Sequence, residues 1–226
     1  LSTTLPDMIF THKLTIPVTN ATLVDRWRLY QQLERWQALR MLLIRAPAGY
    51  GKTTLVSRWI MVAGHQGRAA WLSLDESHSD PRVFIQYLAA AIDPLIPGVQ
   101  VSTQLILRDA RTSPDQALNR LLLDVQAALA GDRHILLVLD DLHLAQSTAI
   151  STILSAIIER GSPNLHFILI SRNALTFPLT GLVARGAIHE IGINDLRFTS
   201  AEVGRFFECQ NFHGLNDIDL ATITAQ

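Results

Sequence analysis

APAGYGKTTL (Ala46–Leu55) joins the short apolar run MLLIR to a stretch with helical spacing. Small residues in such a loop let consecutive backbone N–H groups turn inward toward one anion. A lysine then reaches the outer phosphates, and a neighbouring hydroxyl binds Mg²⁺. Ala46, Pro47, Ala48, Gly49, Tyr50, Gly51, Lys52 and Thr53 supply that pattern, with Thr54 next in line. The one departure is Ala46, where the stricter signature has glycine. The helix that follows aims the positive end of its dipole at the phosphates. The chain has only two lysines, Lys13 and Lys52, against seventeen arginines. One of the two stands where the chemistry asks for a compact charge on a flexible stem. The loop reads as a nucleotide site.

The same scarcity bears on the base. Guanine-specific P-loop proteins use an Asn-Lys-x-Asp segment late in the sheet, and no lysine follows Lys52. Adenine is preferred by elimination, so ATP or ADP with Mg²⁺ is the expected ligand set.

Outward from the loop, MLLIRA (Met41–Ala46), AAWLSL (Ala69–Leu74), ILLVLD (Ile135–Asp140), HFILIS (His166–Ser171) and AIHEI (Ala187–Ile191) read as strands. Helical stretches lie between them: Lys52–Ala63, PRVFIQYLAAAI after Asp80, PDQALNRLLLDVQAALA from Pro114, and Ala149–Arg160. Val24–Leu39 also has helical spacing, whereas Pro94–Thr112 reads as a connecting loop. Near-continuous apolar strands separated by helices describe a parallel sheet covered on both faces, an α/β fold. From Phe198 onward a helix capped by Thr199 or Ser200, with Glu202 placed for a capping box, opens a separate helical module.

ILLVLDDL (Ile135–Leu142) ends a buried strand with two carboxylates. Asp140 is the candidate for Mg²⁺, beside Thr53. Asp141 stands where many P-loop ATPases place the carboxylate that polarises the attacking water; the competing reading is a cap on the following turn. Aspartate is shorter than the glutamate often found there, so fast hydrolysis is not expected. Asp75-Glu76 is a weaker candidate for the outer metal or water shell, and His143 receives no chemistry. Arg172 emerges from the end of HFILIS, the edge at which open α/β sheets bind ligands, and is the candidate γ-phosphate sensor or transition-state stabiliser. Arg185 is a poorer candidate. Arg26 precedes the first strand and reads equally as a nucleotide contact or as the charged face of a helix.

The formal net charge is −1, which argues against a nucleic-acid binder on bulk charge. Residues 1–74 hold nine Lys/Arg against three acids and the remainder ten against seventeen, so the loop lies in a basic third. Cys209 is the single cysteine, no Cys/His cluster has zinc spacing, and no apolar run approaches a membrane span. A cytoplasmic protein without a membrane partner is expected. The chain opens on Leu1 without Met, and a fragment of something longer is expected.

HKLTIP, LVDRWRL, LLIRAPAGYGKTTLVSRW, WLSLDES, ILLVLDDLH, FILISR and NDLRFTSAEVGRFF, in that order, resemble the nucleotide-binding domain of MalT-type regulators. These are large bacterial transcription activators of the LuxR class, within the STAND group of signal-transduction ATPases. The resemblance implies a P-loop NTPase three-layer sandwich on a mainly parallel five-stranded sheet, with the additional-strand core of AAA+ and STAND proteins. It implies a segment at 1–40 packing on the nucleotide site, a core at 41–197 and the start of a helical subdomain at 198–226. It places Lys52 and Thr53 at phosphate and Mg²⁺, Asp140 at Mg²⁺, Arg172 as sensor, and Val24 and Arg26 near the adenine. It implies an ADP-bound resting form and an ATP-bound form that self-associates, with DNA contacted only through a C-terminal domain outside this chain. The family's Gly-x-Pro motif is absent, since no proline follows Pro178. Two other function classes stand beside the switch: a turnover ATPase doing mechanical work, and a scaffold using nucleotide only for stability.

Overall fold

The computed structural model describes residues 9–19, 23–145 and 147–210. Five strands form one sheet: β1 (Met41–Arg45), β2 (Ala69–Ser73), β3 (Ile135–Asp140), β4 (Leu165–Ser171) and β5 (Ile188–Ile191). The order across the sheet is β2-β3-β4-β1-β5, and every described pairing is parallel. Strand β4 therefore lies between the loop-bearing β1 and the acid-bearing β3. That insertion is the additional-strand arrangement. In register, Leu43 faces Leu169 and Leu137 faces Phe167, so the three central strands end together at one edge.

The period of two in a strand explains why these runs are apolar throughout. Met41, Leu43, Leu137, Leu139, Phe167 and Leu169 point to one face. That face is covered by α3 (Pro81–Ile92), α4 (Val99–Arg108), α5 (Pro114–Ala128) and α6 (Thr148–Arg160). Leu42, Ile44, Leu136, Val138, Ile168 and Ile170 point to the other, under α1 (Trp27–Leu33) and α2 (Lys52–Val62). Trp36, Trp59 and Trp71 are buried in this second layer. Trp59 donates its indole N–H to Glu34 at 2.7 Å and Trp71 donates to Ser73 at 2.9 Å, so neither aromatic buries an unpaired donor. The molecule is a three-layer sandwich.

The short helices α7 (Thr180–Ala184) and α8 (Ile193–Leu196) flank β5, and α9 (Ser200–Cys209) follows. Thr199 accepts from the Glu202 N–H while Glu202 accepts from the Thr199 N–H, the reciprocal cap expected from the sequence. Residues 211–226, where the rest of the expected helical module falls, lie outside the described residues. No helix among the described residues is long and apolar enough to cross a membrane.

Two sequence expectations change. Pro94–Thr112 holds α4 rather than a loop throughout. Asp93 accepts the Gly98 and Gln100 N–H groups at 3.0 Å each, and Gly98 takes φ +97°, which starts a helix just past Pro97. Val99, Thr103 and Leu107 then bury one face at intervals of four. The Val24–Leu39 segment is helical only over α1, with a 3₁₀ turn at Glu34–Ala38. Arg26 therefore precedes the helix, and its reading as part of a charged helix face is set aside.

Arg40 locks the lower edge of the sheet. Its guanidinium donates to the carbonyls of Ile158 at 2.6 Å, Ser162 at 2.5 Å and Leu165 at 2.5 Å, and also to Ile157 and Gly161. Burial holds its pKa down, to about 10, and it stays charged at neutral pH. It closes the end of α6 onto the start of β4. Arg40→Met removes that charge and leaves several carbonyls unpaired, so a loss of about 2–4 kcal/mol is expected. A fall in the urea midpoint with unchanged m measures it; an unmoved midpoint refutes the locking role.

Candidate nucleotide site

The loop leaves β1 at its carboxyl edge. Ala46 is buried and its N–H reaches Ser171 O at 3.4 Å, so the methyl that departs from the stricter signature packs into the core. Gly49 and Gly51 take φ +86° and +68°, a region that costs a side-chain-bearing residue strain. These two turns are why the pattern needs glycine. Lys52 is the first residue of α2 and only 7% exposed. Its ammonium donates to Pro47 O at 2.8 Å, bending back over the loop it belongs to. Burial, with the Arg172 charge adding to it, pushes its pKa down, while Asp141 and Asp140 oppose the shift.

Thr53 donates its hydroxyl to Asp140 Oδ1 at 3.0 Å, and the Asp141 N–H donates to the same oxygen at 2.9 Å. Asp140 is 3% exposed, and burial, reinforced by the Asp141 charge, raises its carboxyl pKa to about 6. A buried carboxylate paired with a hydroxyl rather than a cation suits a divalent ion. Among the described residues no three His, Cys, Asp or Glu cluster into a metal site. A cation bound beside this pair would find Thr53 and Asp140 as protein oxygens and would draw its remaining ligands from phosphate and water, as Mg²⁺ commonly does.

Asp141 has φ +53°, and its side chain makes no capping hydrogen bond to the 3₁₀ turn Leu142–Leu144 that follows. The turn-cap reading finds no support. Arg172 is exposed just past β4, and its charge lowers the pKa of both Lys52 and His143, which places it at the same edge.

Other sequence candidates are placed elsewhere. Asp75 is taken by Lys13 and His78 and caps its own turn, accepting from the Ser77 N–H at 3.0 Å. It is not free for a metal shell. Arg185 lines a hollow with Arg40 and His166 at the start of the strands, the edge opposite the loop, and is no phosphate reader.

A cavity of about 580 Å³ adjoins the loop, walled by Val24, Arg26, Tyr50, Thr54, Phe198 and Phe206. Arg26 is buried there. It donates to Arg197 O at 2.9 Å, pairs with Glu202 at 3.3 Å, and lies 4.6 Å from the Phe198 ring centroid. Phe198 and Phe206 escape sequence reasoning as wall residues, and so does Glu202 as the partner that holds Arg26 in the wall. Glu202 is legible there only as a helix cap, and the pairing that draws it to Arg26 spans most of the chain.

The family model described as an AAA ATPase domain matches residues 27–170, and the chain belongs to that family of P-loop nucleotide-binding domains. Within it the chain is MalT-like. It is 33% identical over 204 residues to the HTH-type transcriptional regulator MalT of Cronobacter sakazakii and to that of Yersinia enterocolitica. Each match covers 90% of this chain and 22% of the relative, so the chain spans about a fifth of their length. Cdc6p from Pyrobaculum aerophilum superposes with a TM-score of 0.58 at 15% identity, covering 96% of this chain and 58% of that one; the fold is shared.

The raised Asp140 pKa sets a pH dependence. The unfolded carboxyl titrates near ~4, the folded one near 6. As pH rises through that window the unfolded state releases its proton more readily. The destabilisation is thus absent below the unfolded value and complete above the folded one. Asp140→Asn should therefore stabilise the nucleotide-free protein by roughly 2–3 kcal/mol at pH 7. The substitution should leave stability near pH 3.5 almost unchanged, and thermal melts across that range decide it.

Proposed function

We propose that the chain is the ATP/ADP-binding switch module of a signal-responsive bacterial transcriptional activator working in the cytoplasm. One observation carries the reading: the cavity beside the phosphate loop is walled from both ends of the chain, by Val24 and Arg26 before β1 and by Phe198 and Phe206 beyond β5. A base held there touches the core and the C-terminal helix together. Nucleotide identity then reaches a helix outside the sheet.

In this reading, phosphates lie on the backbone of Pro47–Gly51 and draw the Lys52 ammonium away from Pro47 O. Thr53 and Asp140 would hold Mg²⁺, which would supply charge neutralisation for the phosphates. Arg172 reads the γ-phosphate from the end of β4. Thr54 and Tyr50 face the sugar and base, and Arg26 packs beside the adenine. Asp141 takes the proton of the attacking water, and hydrolysis resets the state. The segment at 1–40 and the helical start at 198–226 are then the two flaps on a core at 41–197. Self-association of the ATP form and DNA contact belong to the longer protein. A switch works only if ATP and ADP favour different conformations, because equal binding shifts nothing.

Titration calorimetry with each nucleotide tests the assignment. Lys52→Ala should weaken Mg-ATP by about a hundredfold or more, the loss of a buried charge–phosphate contact. Arg172→Ala should weaken ATP about tenfold and leave ADP within about twofold, as one charge-assisted contact to the γ-phosphate implies. Wild-type affinity in the first variant overturns the site. Equal loss of both nucleotides in the second removes the sensor.

A further inference from the structure

His143 lies two residues past Asp141 in the tight turn that ends the acidic strand. Its side chain is 9% exposed, and among the described residues neither ring nitrogen has a hydrogen-bond partner. Buried polar groups are ordinarily paired, so an orphaned imidazole calls for a reason. Its surroundings supply one. His143 Nδ1 lies 3.8 Å from Asp141 Oδ1, and the ring feels the charges of Asp141, Arg172 and Lys52. No other feature of the turn demands a histidine. Leu142 anchors it in the core, and Leu144 N–H to Asp141 O at 2.9 Å closes it.

We propose that His143 is a positioning residue: its Nδ1–H anchors one oxygen of the Asp141 carboxylate and leaves the other directed at the attacking water. The proposal rests on the ATPase reading above. The 3.8 Å separation is about one ångström longer than an ordinary hydrogen bond, so the anchor forms by a movement of the two side chains toward each other. Burial pushes the imidazole pKa down against the pull of Asp141, which favours the neutral ring with its single N–H to give. The backbone of Asp141 is held in the left-handed region at φ +53°, and an aspartate there has one fewer torsion than a glutamate with which to find the water. An anchor from the next turn compensates for that short reach. In the step, the water oxygen bonds to the γ-phosphorus while the bond to the β-bridging oxygen breaks and its electron pair leaves on ADP. The water proton passes to the free Asp141 oxygen and then to solvent.

The test is phosphate release from saturating Mg-ATP by the full chain, with nucleotide Kd measured alongside. His143→Leu keeps the volume of the turn and removes both nitrogens. It should lower kcat about tenfold or more, the cost of a misplaced catalytic group, with Kd for ATP unmoved. His143→Asn places an amide N–H where Nδ1 stood and should recover much of the rate. His143→Gln places it where Nε2 stood and should not. In an Asp141→Ala background, His143→Leu should have no further effect. A wild-type kcat in His143→Leu, rescue by Gln instead of Asn, or an independent loss in the Asp141→Ala background each overturns the proposal. So does a proportional loss of kcat and nucleotide affinity. Phosphate release by the wild type no higher than by Lys52→Ala removes the ATPase reading itself, and this inference with it.

Discussion

The hydrogen bond from Thr53 to Asp140 joins two strands that do not touch. Thr53 sits just past the loop that leaves β1, Asp140 closes β3, and the whole of β4 runs between them. The bond closes at 3.0 Å only because the parallel register brings all three strands to one edge. The sheet exists, in functional terms, to hold that pair. The cost of doing so is a carboxylate buried to 3% exposure with no ion pair among the described residues, and its raised pKa is the measure. A divalent ion bound with a nucleotide at this carboxylate, as proposed, would relieve that strain and couple ligand binding to local stability at one atom.

The second coupling runs through the cavity. Arg26 and Glu202 are buried, and neither has a full complement of partners without the other: Arg26 also takes the Arg197 carbonyl and Glu202 also receives Arg28. Breaking one partner of a buried pair is costly, which makes the contact persist or part as a unit. That is the behaviour required of a joint between a nucleotide core and a helix beyond it.

Sheet and loop were legible because local composition dictates them. Strands covered on both faces must be apolar at every position, and Gly49 and Gly51 announce the backbone turns they allow. The placement of Asp140 and Arg172 at the loop's edge of the sheet was legible from the strands they end or follow. What stayed hidden depends on long-range packing or on local signals in conflict. Helix α4 is flanked by Pro94 and Pro97 and rich in β-branched residues, and a cap from Asp93 overrides both. Asp75 looked free until Lys13, far upstream, was seen to occupy it. Phe198 and Phe206 become cavity walls, and Glu202 a partner of Arg26, only when the segment before β1 packs against α9.

In the proposed switch the nucleotide sets a state instead of fuelling continuous work. Its most direct test is steady-state phosphate release from saturating Mg-ATP by the wild-type protein, with nucleotide occupancy confirmed in the same sample. A switch gives bound nucleotide with turnover well below ~1 per second. Release at tens per second, within the range of ordinary enzymes, would contradict it and mark a turnover ATPase.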